Sequence, residues 1–289
     1  MPVYLGLDCG GSSCRAMAID DTGAVVFRGQ GGSANVATTP EPILRRSLER
    51  ALEGLPKVNR VFGCFAGLID DVGRARATAV LQSLVPDAQV SVEADFAAAF
   101  RSCPDGTTAC VIAGTGSIVC SRVGGRLVKS GGGGYLLGDE GSGFRYGLAA
   151  LKHFIQEPES ATPSMLEALA EVIGTTVPAE ATMRIYQTTR PAALLSRLTG
   201  ALVADAAAGQ DYAHAAIVRE AGELAQQVVR HLDRHHPEVE VRQVGIVGGV
   251  WRHSEIREAF FNSMPAGVTI VRPQIPPVHG AALLAKEAA

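Results

Sequence analysis

The chain has 289 residues, 47% of them hydrophobic, and carries 26 basic against 29 acidic side chains for a net charge of −3. That length and apolar content allow two ordinary domains, and with no basic run or stripe, nucleic acid and anionic membrane surfaces are not expected partners. No apolar run reaches the ~20 residues that cross a bilayer, and the start of the chain lacks a basic stretch followed by an apolar core, so a cytoplasmic location is expected.

Val3–Leu7, Arg15–Ile19 and Ala24–Arg28 are short apolar runs separated by a glycine turn and by Asp20-Asp21-Thr22-Gly23, the pattern of an antiparallel meander. Thr38-Thr39-Pro40-Glu41 has capping-box spacing, and Leu44, Leu48, Leu52 and Leu55 then recur at helical intervals up to Pro56. Arg60–Phe65 reads as a strand, Arg74–Leu84 as a helix and Ala88–Val92 as a strand ending at Glu93-Ala94-Asp95, which makes a parallel unit. From residue 109 the meander repeats: Ala109–Ala113, the turn Gly114-Thr115-Gly116-Ser117, Ile118–Val123, Gly124-Gly125 and Arg126–Lys129. A glycine-rich block at 131–143 leads into an Ala- and Leu-rich helical region, where Ile217, Ala221, Leu224, Ala225, Val228 and Leu232 share one face. Val244–Val247 is then a strand running into Gly248-Gly249. Ser254–Phe261 follows as a helix, Val268–Val271 as a strand, and a last helix runs from about Gly280 to Ala288.

The six cysteines show no CxxC pair and no histidine at zinc-finger spacing, and most sit in apolar segments; small buried thiols are expected. His231 and His235 stand four apart on a helix, as two metal ligands would, but no third ligand is near in sequence, and a solvated helix end before Pro237 is expected instead.

The chemistry concentrates in the glycine turns. Gly10 and Gly11 let the backbone fold tightly and aim N–H groups inward, Ser12 and Ser13 add donors, and Asp8 at the strand end can hold magnesium through water. The same segment also fits an ordinary tight hairpin. Gly114, Thr115, Gly116 and Ser117 form a second such turn, so a nucleotide gripped from both sides would have its phosphates met by two glycine/hydroxyl hairpins. Neither G-x-x-x-x-G-K-[ST] nor G-x-G-x-x-G occurs, which disfavours Walker-type NTPases and dinucleotide-binding dehydrogenases. Asp95, at the carboxyl end of a parallel strand, faces the crevice where such sheets bind ligands and could accept a hydroxyl proton; it would equally suit the N-cap of the run that follows.

With Gly6–Ser13, Glu93-Ala94-Asp95, Ala113–Ser117, the block Gly132–Ser142 and Val247-Gly248-Gly249-Val250 in this order, nearly the whole chain resembles the sugar kinase/Hsp70/actin superfamily and, within it, the N-acetylglucosamine kinase branch. The resemblance implies an α/β fold of two ribonuclease H-like domains, the actin-like ATPase fold, with a cleft between them. It divides the chain at 1–108 and 109–289, the last helix packing back on the first domain. It implies an ATP- and Mg2+-dependent kinase that phosphorylates an amino sugar such as N-acetylglucosamine or glucosamine, on O6. Asp95 is then the base and also touches substrate, and Asp8 organises magnesium. Gly10, Gly11, Ser12, Ser13, Gly114, Thr115, Gly116, Ser117, Gly248 and Gly249 bind the nucleotide. Asn35, Gly133, Gly134 and Asp139 line the sugar site. Similar kinases often carry Trp where this chain has Gly133, which leaves the acceptor open between N-acetylated, free amino and plain hexoses. A homodimer is also the habit of such kinases.

Two other readings stay open. ATPases that activate acyl-CoA reductases and dehydratases are similar in the nucleotide clamp and hold an iron–sulfur cluster by cysteines, but Cys103, Cys110 and Cys120 lack close spacing. A noncatalytic nucleotide or sugar sensor is the other, although the chain opens directly on the phosphate strand, without room there for a DNA-reading domain.

Overall fold

The computed structural model describes residues 1–11 and 13–288. Backbone contacts divide the chain into two units, Met1–Asp105 with Arg272–Ala289, and Gly106–Val271. Unit 1 opens with β1 (Val3–Cys9), β2 (Cys14–Asp20) and β3 (Val25–Gly31), followed by α1 (Glu41–Ala51), β4 (Arg60–Phe65), α2 (Asp71–Leu84), β5 (Gln89–Ala94) and α3 (Asp95–Arg101). Its sheet has the order β3-β2-β1-β4-β5, with β1, β2 and β3 antiparallel and β1, β4 and β5 parallel. Alternation sorts the two faces: Leu5, Leu7 and Cys9 join Leu44, Leu48 and Leu81 in one core cluster, so α1 and α2 cover that face.

Two local readings need correction. No capping box forms at α1, because Pro40 occupies the N-cap position without a side-chain cap, and the Thr38 N–H is already donated to Asn35 Oδ1. The second helix starts three residues before Arg74, since Asp70 accepts from the Gly73 N–H and nucleates the turn there.

Unit 2 repeats the plan. It holds β6 (Ala109–Ala113), β7 (Ser117–Val123), β8 (Arg126–Gly131), α4 (Gly143–Gln156), α5 (Pro163–Val172), α6 (Pro178–Gln187), α7 (Pro191–Leu195), α8 (Thr199–Ala207), α9 (Asp211–His235), β9 (Arg242–Val247), α10 (Ser254–Asn262) and β10 (Val268–Val271). The sheet order β10-β9-β6-β7-β8 again places an antiparallel meander beside two parallel strands. The apolar face of α9 is buried as its periodicity requires, through Ile217, Ala221, Leu224, Ala225, Val228 and Leu232.

His231 is not at a solvated helix end. It is fully buried, and its ring nitrogens lie 2.8 Å from the hydroxyls of Ser121 on β7 and Ser130 on β8. Burial, followed by the neighbouring His235 and His236, pushes its pKa down to about 4, so a neutral imidazole bridges helix and sheet.

After β10 the chain returns to unit 1 as α11 (Pro277–Glu287), which packs on the second face of the first sheet. Gly6 makes that approach feasible: a Cβ there would lie 2.1 Å from the Ala282 backbone nitrogen. All six cysteines are buried, but Cys9 and Cys14 are joined as a disulfide across the first hairpin, so the expectation of thiols is corrected for that pair. Their sequence spacing gave no CxxC signal; the β1–β2 register makes them neighbours.

Candidate active site

In unit 1 the candidate residues gather at the carboxyl edge of the sheet. The first turn is closed by the Gly10 N–H donating to Ser13 O at 2.8 Å, and the Ala34 N–H donates to Gly10 O at 3.0 Å. Gly11 is exposed at its tip. Ser12, expected among the phosphate donors, lies outside the described residues.

Below the turn, register aligns Arg15 with Asp8, Asp8 with Cys64, and Cys64 with Glu93. Directly paired residues share a face, so these four form one row across β2, β1, β4 and β5 on the face opposite Cys9. Strands are spaced ~4.8 Å apart, which puts Asp8 and Glu93 roughly 10 Å from each other. Asp95 is the first residue of α3, immediately after β5; the N-cap position itself is Ala94. Burial first, and then the charge of Asp95, pushes the Asp8 pKa up to about 6 against a weaker opposing pull from Arg15. The Cys64 thiol is pushed up by burial and then by Asp8, Glu93 and Asp95, so it stays neutral.

Asn35 lies at the same edge. Its loop is tied there by the Val36 N–H donating to Ala66 O, and the Ala66 N–H to Cys9 O. Its Oδ1 accepts from the N–H groups of Ala37 and Thr38 at 2.9 and 3.1 Å, so the carbonyl oxygen is used by its own turn and the amide nitrogen is the group left to meet a ligand.

In unit 2 the second turn is closed by the Gly114 N–H donating to Gly116 O. Asp139 has φ +61°, the one positive value at a non-glycine among the described residues. That conformation turns its carboxylate under the phosphate turn: Oδ1 accepts from the Ser117 N–H at 3.2 Å, and a Cβ on Gly116 would come within 2.8 Å of Oδ2. Burial raises the Asp139 pKa, opposed by the Ser117 N–H. Ser117 is itself buried and its hydroxyl donates to Glu140 O at 2.7 Å, whereas Thr115 is exposed at the tip, with its hydroxyl 3.4 Å from that of Ser196. Gly133 and Gly134 lie on an exposed loop with Leu136 and Leu137. A Cβ on Gly133 would make only ordinary contact with Leu137, 3.5 Å away.

The same unit brings the second turn and the Gly248-Gly249 motif together. A cavity of about 220 Å³ is lined by Gly114, Thr115, Gly143, Ser196, Thr199, Gly249, Val250 and His253. Gly248 has φ +118°, and a Cβ there would fall 2.2 Å from Ala113 O; only glycine lets the end of β9 close onto the end of β6. Gly143, Ser196, Thr199 and His253 were not singled out as ligand contacts from the sequence, whereas Val250 closes the motif Val247-Gly248-Gly249-Val250. The Gly143 N–H donates to Gly114 O at 2.7 Å and the Thr199 hydroxyl to Gly143 O at 3.0 Å, a chain of contacts between segments far apart in sequence. Burial, its leading cause, lowers the His253 pKa and so favours the neutral ring.

The family model of the BadF/BadG/BcrA/BcrD ATPases matches residues 5–285. The chain belongs to this family. A glucosamine kinase of Vibrio cholerae is 28% identical over 170 residues, which are 56% of this chain and 58% of that protein; the match thus spans little more than half of its length. Among solved structures, a provisionally assigned N-acetylglucosamine kinase from Porphyromonas gingivalis superposes with a TM-score of 0.77 at 19% identity, covering 97% of both chains. A second one, from Chromobacterium violaceum, gives 0.73 at 23% identity over 98% of this chain and 99% of that one. The α/β fold of two five-stranded units in this member of the BadF/BadG/BcrA/BcrD ATPase family is therefore the fold of these two solved structures.

ATP is the family's nucleotide, and magnesium customarily accompanies it. Among the described residues no group of three or more His, Cys, Asp or Glu could hold a metal ion by itself, but magnesium is usually held by one or two carboxylates together with substrate phosphates. Asp8 fits that role. It is a hard oxygen donor whose pKa is raised first by burial and then by the charge of Asp95.

Proposed function

We propose that this ATPase-family protein is an ATP-dependent kinase transferring the γ-phosphoryl group to a hydroxyl, O6 in our reading, of an amino sugar or related hexose. The observation that carries the reading is the pair Asp8 and Asp95 at one sheet edge, two carboxylates close enough for one to raise the pKa of the other. Such a pair suits two different tasks, a base for the acceptor and an organiser for the metal.

Asp95 accepts the hydroxyl proton as the phosphoryl group leaves ATP. Asp8 orients magnesium, which when bound neutralises phosphate charge. The backbone N–H groups of Gly11, Ser13, Thr115 and Gly116, with the Thr115 hydroxyl, hold phosphate oxygens, those of Gly10, Gly114 and Ser117 being donated within the protein. The 220 Å³ cavity takes the nucleoside end, where Gly249 allows close approach of the ring and the Ser196 and Thr199 hydroxyls, which donate to Ala193 O and Gly143 O, leave their oxygens to accept. Asn35 supplies its amide nitrogen to a sugar oxygen. Similarity to a glucosamine kinase supports the acceptor class.

ADP release from ATP and magnesium, measured over glucosamine, N-acetylglucosamine, N-acetylmannosamine, glucose, other hexoses and a no-sugar control, tests the reading. Stimulation by one sugar is expected. Release indifferent to every sugar, from a brown, iron-containing preparation, would move the weight to an activator of acyl-CoA reduction or dehydration.

A further inference from the structure

We infer that Arg76 is a positioning residue for the sugar acceptor: from α2 its guanidinium clamps the turn that carries Asn35 and so fixes where the Asn35 amide nitrogen points. The inference deepens the proposed function and rests on it for the identity of the acceptor, while the clamp itself stands on geometry within unit 1.

Residues 35–39 form a closed turn. Asn35 Oδ1 accepts from the N–H groups of Ala37 and Thr38, and the Thr39 N–H donates to Asn35 O at 2.9 Å. These bonds occupy the N–H groups of the turn and leave the carbonyls of Val36 and Thr39 to find donors elsewhere. Both residues are buried, and Arg76 supplies the donors: Nη1 donates to Val36 O at 2.9 Å and Nη2 to Thr39 O at 2.8 Å. Two nitrogens of one planar group, each on its own carbonyl, set the orientation of the turn as well as its position. Arg76 Nε also lies 3.7 Å from a carboxylate oxygen of Glu41 on α1, but that carboxylate is exposed and adds little.

The arginine reaches the turn because α2 begins beside it. Asp70 caps the helix on the Gly73 N–H, and a Cβ on Gly73 would stand 3.3 Å from Val36 Cγ1, so the first turn of α2 rests against the loop. The same helix holds the strand that delivers the base: the Arg74 guanidinium donates to Val92 O on β5, and β5 runs directly into Asp95. One helix thus grips both the turn assigned to the sugar and the strand before the proton acceptor. On its other side the loop is tied by the Ala34 N–H to Gly10 O and the Val36 N–H to Ala66 O. Without Arg76 the turn stays attached through those two bonds but is free to tilt about them, and the Asn35 amide loses its fixed direction. A hydrogen bond from that amide to the sugar is made in ground and transition states alike, so its loss falls on the acceptor KM rather than on kcat.

The test compares full-length Arg76→Ala with the parent, using glucosamine, N-acetylglucosamine and glucose as acceptors. The acceptor KM is expected to rise roughly 5- to 30-fold, the scale of one or two charge-assisted hydrogen bonds, with kcat within about threefold. Affinity for the β,γ-imido analogue of ATP with magnesium, read by calorimetry, is expected to stay within about twofold, since none of the assigned phosphate donors is touched. Hydrogen exchange without ligands is expected to quicken in peptides covering residues 33–39 and to be unchanged in β1 and β4. Unchanged exchange at 33–39 overturns the clamp. Faster exchange there with an unaltered acceptor KM overturns the positioning role, as does a loss of analogue affinity that matches the rise in KM. If Arg76→Ala does not fold, Arg76→Lys is read in the same way: an ammonium meets one carbonyl at a time, so a smaller rise in acceptor KM is expected and no rise overturns the positioning role. A parent that none of the three sugars stimulates overturns the kinase reading and the positioning role with it, and the exchange at 33–39 then decides the clamp alone.

Discussion

Asp95 raises the pKa of Asp8, although the two carboxylates arrive from different strands: Asp8 from within β1 and Asp95 from the first residue after β5. The direction of that effect fixes a pH dependence. The Asp8 pKa is about 6 in the folded protein against 3.8 for the ordinary group, so the folded state holds this proton more tightly. The resulting stability is present below pH 3.8 and is lost as pH rises through 6. A proton held that much more tightly is worth up to about 3 kcal/mol, less whatever solvent screening removes. Asp8→Asn is therefore expected to melt several degrees higher than the parent at about pH 7.5, without nucleotide, and to show no gain near pH 4. Equal melting temperatures at the higher pH would refute the assignment.

Asp95→Asn should keep binding the imido analogue while turnover falls about 10²–10⁴-fold, the usual worth of a positioned base. The same substitution removes a negative charge beside Asp8, so the Asp8 pKa should fall toward the ordinary carboxylate range. Turnover near that of the parent would remove Asp95 from the mechanism.

Asp139 separates two readings of one residue. Its carboxylate holds the Ser117 N–H beneath the second turn, so Asp139→Ala should raise the ATP KM by at least about tenfold, on the scale of one buried hydrogen bond, and leave the sugar KM within about twofold. Asp139→Asn retains an acceptor oxygen and should restore most of the loss. The reverse split, a risen sugar KM with ATP unaffected, would return Asp139 to the sugar site.

His231 bridges two hydroxyls and has no part in the proposed reaction. His231→Phe should cost about 2–4 kcal/mol in a denaturant titration by leaving Ser121 and Ser130 unpaired in the core, while kcat/KM per folded molecule stays unchanged. A specific loss of activity without loss of stability would point to a role for unit 2's helix–sheet bridge that packing does not explain.

Much of the fold was legible because its strongest signals are local. Glycine/hydroxyl turns between short apolar runs marked both meanders, and the periodicity of α9 gave the face that is buried. What escaped was set by tertiary placement. Periodicity shows which side of α9 faces inward but not that His231 would meet two serines on β7 and β8. Register paired Cys9 with Cys14, and a backbone conformation rare for aspartate aimed Asp139 at Ser117 instead of outward. Ser196, Thr199 and His253 line the cavity with no motif of their own, because they are carried there by separate helices. At α1 the nearby Asn35 took the Thr38 N–H on which the expected cap depended.

Because α11 belongs to unit 1 while 166 residues of unit 2 intervene from Gly106 to Val271, unit 2 is in topological terms an insertion within unit 1. During synthesis, unit 2 has all of its strands before unit 1 has the helix that covers Gly6. The first sheet must therefore wait, one apolar face bare, until residues 277–287 emerge. A ribosome stalled before that point would leave a finished second unit tethered to an unfinished first one, the form most exposed to chaperones and proteases.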